Sequence, residues 1–499
     1  MNDADAPAFA PLTRHDSTQV CIVGAGIAGL SLAYRLVCAG RAVVVLEDGD
    51  VANGVSARTT GHLTAMLDDR YFELARVHGD EGARLAAASH TAAIDDIEAN
   101  VRAAGIDCDF QRVDGFLFTA ADRDPDELRS EFEAAQAAGL AVEWLVQAPA
   151  PFTGPAIKLP RQAQLHALKY LYGLARAVVA AGGRIYTNTH VATIVGGARP
   201  LVETAQGLRV QAEHIAVMTN TPVNLRVALH TKQMAYRTYA VACAIPRGDF
   251  PRALFWDTGD PYHYVRVQRF DAQRDWLIVG GEDHKTGQAD DGDARFKRLE
   301  SWLKHFVPRA EPPAYRWSGQ IMEPVDGLAF IGLEPGEERV FVATGDSGNG
   351  LTHAAIAARV IADAILGREN PWRDLYDPAR KRVGTVREYV GENLNTATQY
   401  ADWLKPAELR STAELAPGDG GILREGMRKV AAYRDAQGRL HLFSATCPHL
   451  GCIVHWNATE KSWDCPCHGS RFDADGRVVN GPANRDLAAH ERRRGGRLS

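Results

Sequence analysis

The chain has 499 residues, more than one hydrophobic core usually serves, so two or three domains are expected. Its composition, 45% hydrophobic, 24% charged and 8% aromatic, is that of a soluble globular protein. A formal charge of −6 gives no reason to expect nucleic acid as a partner, and no run approaches the roughly 18 apolar residues of a membrane span.

The opening text, "MNDADAPAFAPLTRHD", lacks a cationic region and an apolar core, so no signal peptide is expected and the protein is read as cytoplasmic. Residues 1–17 are rich in Ala, Asp and Pro and are expected to be disordered. From Thr18, "TQVCIVG" reads as a strand, followed by a Gly-rich turn, a helix and a second strand at "AVVVLE". A long helical tract follows, with Ala87, Ile94, Ile97 and Val101 at helical spacing. A helix over about 165–181 ends in "GG" before the alternating strand "RIYTNTHVATIV". The segments "RTYAVACAIP", "HYVRVQRF" and "DWLIVGG" suggest an antiparallel sheet. A further strand–turn–helix spans "RVFVATGDSGNGLTHAAIAARVIADAIL", then a Pro- and charge-containing connector, then short strands and turns. The closing "ERRRGGRLS" is short and has no interleaved aromatic residue, which suits a solvated tail.

Three stretches carry chemistry. In "VGAGIAGL", Gly24, Gly26 and Gly29 have the G-x-G-x-x-G spacing between a strand and a helix, with Ile27 and Ala28 opening the helix. Gly24 permits the tight turn, Gly26 lets the backbone approach a pyrophosphate, and Gly29 lets helix and strand pack closely. Glu47, about 20 residues on, is placed to accept hydrogen bonds from an adenosine ribose. The second Gly-rich turn, "ATGDSGNGLT", offers backbone N–H groups to another part of the same ligand, which a simple NAD domain would not need.

The combination resembles the D-amino-acid oxidase (DAO) class of FAD enzymes over about residues 18–370. "SARTTGHLT", "MTNTPVN" and "WSGQIMEPVDGLAFIG" also match. The resemblance implies a glutathione-reductase-like FAD-binding Rossmann fold of α/β class, with an α+β antiparallel-sheet substrate domain over about 231–325. It places Gly345, Gly348, Asn349, Gly350, Leu351 and Thr352 along the FAD, and Val191 against adenine. Thr60, Gly61 and His62 would lie near the pyrophosphate or isoalloxazine. His62 is a candidate for covalent flavin attachment, but its surroundings do not match the attachment motifs, so noncovalent FAD is expected.

The other stretch, Cys447 to Ser470, holds four of the 8 cysteines and three histidines in 24 residues. The spacing Cys447-x-His449…Cys465-x-x-His468 makes two mixed pairs, which suits a Rieske [2Fe–2S] centre; a zinc site is the alternative. "CPHLGC" and "CPCHGS" resemble the Rieske family closely, which implies a small all-β domain over 413–499, joined by a helical connector over 371–412. The resemblance to the cytochrome bc-type branch implies a disulfide between Cys452 and Cys467, unusual for the cytoplasm. It also makes Ser470 a hydrogen-bond donor to the cluster. Phe472 stands where that branch has a Tyr, so a lower potential is expected, within the roughly −150 to +300 mV of such centres. The text after "NGPANRDL" lacks the closing strand expected there.

The order of the two modules resembles a family of bacterial FAD-dependent oxidoreductases with a C-terminal Rieske domain. It implies a dehydrogenase that takes a hydride from an amine or amino acid and passes electrons singly through the cluster to an external protein or quinone. Arg237, Tyr239, Tyr264 and His62 are the catalytic candidates, with Arg237 the partner for a substrate carboxylate; Tyr236, Tyr262 and His263 share the same strands. The rival readings are a reductase with electrons running from cluster to flavin, and a non-catalytic carrier or redox sensor.

Overall fold

The computed structural model describes residues 5–121, 123–223, 227–381, 395–396 and 398–490. Its first layer is an eight-stranded sheet. The strand Asp16–Val23 pairs in parallel with Val43–Leu46 on one side and Arg209–Val217 on the other. Val340–Thr344 and Arg184–Tyr186 extend the parallel set, and Phe330–Leu333 closes one edge antiparallel. All four residues of "VVVL" (43–46) are buried, as a parallel strand covered on both faces requires. The helices Ile27–Cys38 and Gly350–Ile365 pack on each other and bring both Gly-rich turns to one end of this sheet.

The second layer is a nine-stranded sheet. Its strands over 233–324 were expected, but Gln111–Phe118, Ala156–Gln164 and His62–Leu63 join it, so the substrate sheet draws on chain well before residue 231. The edge strand Tyr315–Pro324 pairs antiparallel with Gln233–Pro246, which is itself paired to Arg274–Lys285. The helix Gly292–Phe306 covers part of the outer face, burying Phe296, Leu299 and Leu303.

The C-terminal unit has two small antiparallel sheets, one of three strands over 419–444 and one of four over 455–480. In place of a closing strand, which the sequence lacks, an antiparallel bridge pairs Ala489 with Phe443. Ser444 N–H donates to Ala488 O at 2.8 Å and His490 N–H to Leu442 O at 2.9 Å, so 488–490 runs beside the three-stranded sheet.

The expectation of disorder over 1–17 does not hold for the described part. Leu12 is buried, its N–H donates to Thr189 Oγ1, and the first strand already begins at Asp16. Phe9 and Leu12 dock it: Leu12 joins the core of the first sheet and Phe9 packs against its other face, its carbonyl accepting from Thr187 Oγ1. Of the expected connector helix, 382–394 and 397 lie outside the described residues; the described part holds short helices at Arg373–Tyr376 and Tyr400–Trp403.

Among the contacts that seat the C-terminal unit on the outer face of the second sheet is one buried carboxylate. Glu460 pairs with Arg237 at 2.9 Å and accepts from Ser318 Oγ at 2.6 Å, and that hydroxyl in turn accepts from Arg237. Burial pushes the Glu460 carboxyl up, but Arg237 and Arg471 more than reverse it and hold it below the usual range. Replacing Glu460 by Leu would strand the 1% exposed Arg237 guanidinium, so unfolding free energy should fall by about 3–5 kcal/mol. The double variant Arg237→Met/Glu460→Leu should recover most of that loss in chemical denaturation. A single-variant loss under about 1 kcal/mol, the worth of a surface pair, would contradict the assignment.

Candidate functional site

One cavity lies between the two large sheets. From the first sheet its wall takes Gly24, Gly26, Ile27 and Ala28, then Glu47, His190 and Val191, then Gly348, Asn349, Gly350 and Leu351. From the second it takes Thr60, His62, Thr238, Trp256, Tyr262, Tyr264 and Gly319. Gly29, Gly61, Gly345 and Thr352 are behind the wall. Gly29 keeps its packing role, since a Cβ there would meet Gly24 O at 1.9 Å. Thr352 instead bonds its hydroxyl to the buried His90 ring at 2.9 Å.

The cavity suits a dinucleotide on this structure's own geometry. Both helices that start on it present their N-termini to the cavity, and neither N-cap residue, Gly26 or Asn349, caps with its side chain, although Ile27 N–H donates to Ser56 Oγ at 3.0 Å. A Cβ on Gly24, at φ +106°, would lie 2.6 Å from Met218 O, and one on Gly348, at φ +69°, 2.4 Å from Asp68 Oδ2. Gly319 is the opposite case: in mid-strand, a Cβ would meet nothing nearer than 3.7 Å, which leaves backbone open for a ligand to approach. The Glu47 carboxylate accepts from Ala25 N–H at 2.6 Å and from Gly49 N–H at 3.1 Å; burial nonetheless raises its pKa.

On the second-sheet side, His62 meets Tyr264 edge-on at 5.2 Å, and Tyr264 lies across Gly280, where a Cβ would meet its ring at 2.2 Å. Buried Arg266 fixes the loop before His62 by donating to Thr60 O. Burial, and then the Arg266 charge, hold His62 neutral with its pKa near 3, and its buried Nε2 has no hydrogen-bond partner among the described residues. Two residues that sequence reasoning did not single out share this wall: Trp256, paired across strands with Tyr264, and Asp68, which accepts from Tyr262 OH at 3.4 Å. Burial raises Asp68 to about 6. Asp68 sits in a turn before a helix, where no motif marks it.

Arg237 and Tyr239 do not belong to this wall. Strand alternation puts Thr238 on the cavity and turns its two neighbours to the outer face. There Arg237 is committed to Glu460, while Tyr239 packs against Phe296 and bonds its hydroxyl to His284 Nε2 at 3.0 Å. Tyr236 and His263 also lie off the wall; His263 is held between Asp257 and Glu282.

In the C-terminal unit, Cys447 and Cys465 are buried free thiols within hydrogen-bond reach of each other, and the His449 and His468 rings lie 4.9 Å apart between centroids. Burial lowers both imidazoles to about 4, leaving them neutral, as ligands must be. Cys452 and Cys467 are disulfide-bonded, which ties the two loops and leaves them no thiolate for a metal. Two thiols and two imidazoles on facing loops fit a [2Fe–2S] centre. Ser470 Oγ accepts from Ala483 N–H at 3.0 Å, and Phe472 is fully buried. His455, outside this set, lies between Asp402 and Glu408.

The two sites share a wall one strand thick. Along Tyr315–Pro324, Gly319 faces the cavity, while the side chains of Ser318 and Gln320 reach the C-terminal unit. Gln320 Nε2 donates to Gly469 O at 2.8 Å, one residue after His468, and the His230 ring lies 5.0 Å from that of His449. Gly24→Ala should abolish FAD retention through purification while leaving the cluster's visible spectrum intact, because the clash is with backbone. Retention of stoichiometric flavin would contradict the assignment of this turn.

Comparison with known proteins follows the same division. The family model "FAD dependent oxidoreductase" (DAO) matches residues 19–364, and that of the Rieske [2Fe-2S] domain residues 405–491. The YhfW protein of Bacillus subtilis (strain 168), named as a Rieske 2Fe-2S iron-sulfur protein, is 32% identical over 97% of this chain and 95% of its own length. Gamma-glutamylputrescine oxidoreductase of Escherichia coli (strain K12) is 26% identical over 73% of this chain and 88% of its own. The fold of glycine oxidase from Geobacillus kaustophilus superposes with a TM-score of 0.62 at 21% identity, covering 73% of this chain and 99% of the oxidase. The chain belongs to the DAO family of FAD-dependent oxidoreductases and carries a C-terminal Rieske domain, so its cofactors are FAD and a [2Fe–2S] cluster.

Proposed function

We propose that the chain is a dehydrogenase for an amine or amino acid, with electrons leaving the cavity one at a time through the Rieske domain to an external protein or quinone. The names of two relatives, an oxidoreductase of gamma-glutamylputrescine and an oxidase of glycine, supply the donor class. The observation that carries the electron route is the shared strand, with Gly319 on the cavity and Gln320 bonded to the turn that bears His468. When bound, FAD accepts a hydride and can return its electrons singly, and the cluster carries one electron at a time.

The chain's own residues position the donor. Trp256 and Tyr264 give the cavity an aromatic wall, and Tyr262 orients the Asp68 carboxylate toward it. With a pKa near 6, Asp68 suits a substrate ammonium and can take the proton that leaves a neutral amine ready for hydride loss. Neutral His62 offers its unpartnered Nε2 as a further hydrogen-bonding group. Gly24, Gly26, Ile27, Ala28, Glu47, Val191 and the 348–351 turn hold FAD noncovalently; Cys447, His449, Cys465 and His468 ligate the cluster. Phe472 has no hydroxyl to donate to the cluster, which keeps its potential below that of a Tyr-bearing relative.

Anaerobic addition of amines and amino acids to the loaded chain, followed by optical and EPR spectroscopy, tests this reading. One donor should bleach the flavin and then raise the reduced Rieske signal, and Gln320→Leu should slow only the second phase. Flavin bleaching with the cluster left oxidised would contradict the route. Reduction of both centres by NAD(P)H or a ferredoxin, with every amine inert, would make the protein a reductase.

A further inference from the structure

The cavity is not closed by the FAD-binding fold alone. Its wall includes Val478, Val479, Asn480, Gly481, Ala483 and Asn484, all from the Rieske domain's last strand and the loop after it. This loop lies against the nucleotide side of the FAD-binding fold. Asn484 O accepts from His190 Nε2 at 3.2 Å, and Asn484 Nδ2 reaches Ala192 O at 3.5 Å. His190 and Ala192 flank Val191, and His190 also pairs with Asp48, the residue after Glu47. A Cβ on Gly481 would sit 3.6 Å from Thr221 O, in the turn that ends the strand Arg209–Val217.

The loop is held by the cluster fold. Ala483 N–H donates to Ser470 Oγ, two residues beyond the ligand His468, and Val478 N–H donates to Asp486 Oδ1 at 2.9 Å. The loop therefore presents apolar Val478, Val479 and Ala483 together with the amides of Asn480 and Asn484 to a cavity whose opposite wall carries Glu47 and Val191. An aromatic base attached to a ribose needs this mixture: apolar cover for its faces and amides for its edge.

We propose that residues 478–484 are part of the FAD site and close its adenosine half, so that the Rieske domain serves as a nucleotide lid as well as an electron carrier. The inference uses the family's FAD and the contacts just given, and does not depend on the direction of electron flow. In a fused chain such a lid makes tight FAD binding require a docked, folded cluster domain.

The test uses the full chain stripped of flavin, with the cluster's visible and EPR signatures as the check on folding. Asn484→Ala should raise the Kd for FAD about five- to tenfold, the loss of one hydrogen bond. It should weaken ADP by the same factor and leave FMN, which lacks the adenosine, unchanged. Equal weakening of FMN, or no change in FAD and ADP, would overturn the assignment. A measurement on the unmodified chain stands beside it: amide hydrogen exchange across 478–484 should slow when FAD or ADP is added. Exchange in that loop that ignores both nucleotides would also overturn it.

Discussion

The two halves of this protein are joined by a charge that neither half could bury alone. Arg237 lies inside a sheet with its guanidinium almost fully out of water, and Glu460 is the carboxylate that makes this tolerable. Isolated, either charge would lose several kilocalories per mole of hydration with nothing in return. Their pairing, with Ser318 relaying between them, anchors the Rieske domain beside the hydrogen bonds Gln320–Gly469 and Asp290–Ala458. Arg471, paired with Asp464 at 2.9 Å, carries the same network into the four-stranded sheet of the cluster domain.

That placement determines the rest. With Glu460 on the outer face of the edge strand, the turn bearing His468 comes down on Gln320, and Gly469 fits there because no side chain would. A Cβ on Gly469 would stand 2.1 Å from that of Ala235. The strand's other face is bare backbone at Gly319. The division of labour along Ser318, Gly319 and Gln320 is therefore a direct result of the two-residue period of a β-strand. The same docking lays the 478–484 loop against His190 and Ala192, so the domain that reaches Gln320 also borders the cavity.

Much of this was legible in the sequence, for identifiable reasons. The G-x-G-x-x-G turn, Glu47, the second Gly-rich turn and the Cys/His spacing are short-range patterns whose geometry follows from adjacent residues, and the structure brings each group together. The short apolar run 43–46 and the Ala-rich helix 350–365 announce their burial by composition. What could not be read is pairing at long range. Arg237 and Tyr239 looked catalytic because they lie on a strand of the substrate sheet, but which face a strand shows depends on its partners, and Glu460 is more than two hundred residues away. Asp68 and Trp256 carry no motif: Trp256 reaches the cavity through pairing with Tyr264, and Asp68 through a turn that meets Tyr262 nearly two hundred residues on. Phe9 and Leu12 ordered a tail whose composition suggested disorder, because two apolar side chains found the core around the first sheet.

If the proposed route holds, flavin and cluster are separated by a single strand. A crystal structure of the fully loaded protein measures this directly. Adjacent packed layers lie about 10 Å apart. Here both neighbours press directly on one strand, at bare Gly319 on one face and through Gly469 on the other, so the nearest isoalloxazine atom should lie within about 12 Å of the His468 ring, with Tyr315–Pro324 between them. A Rieske domain docked elsewhere, or a separation about twice as large, would contradict the account.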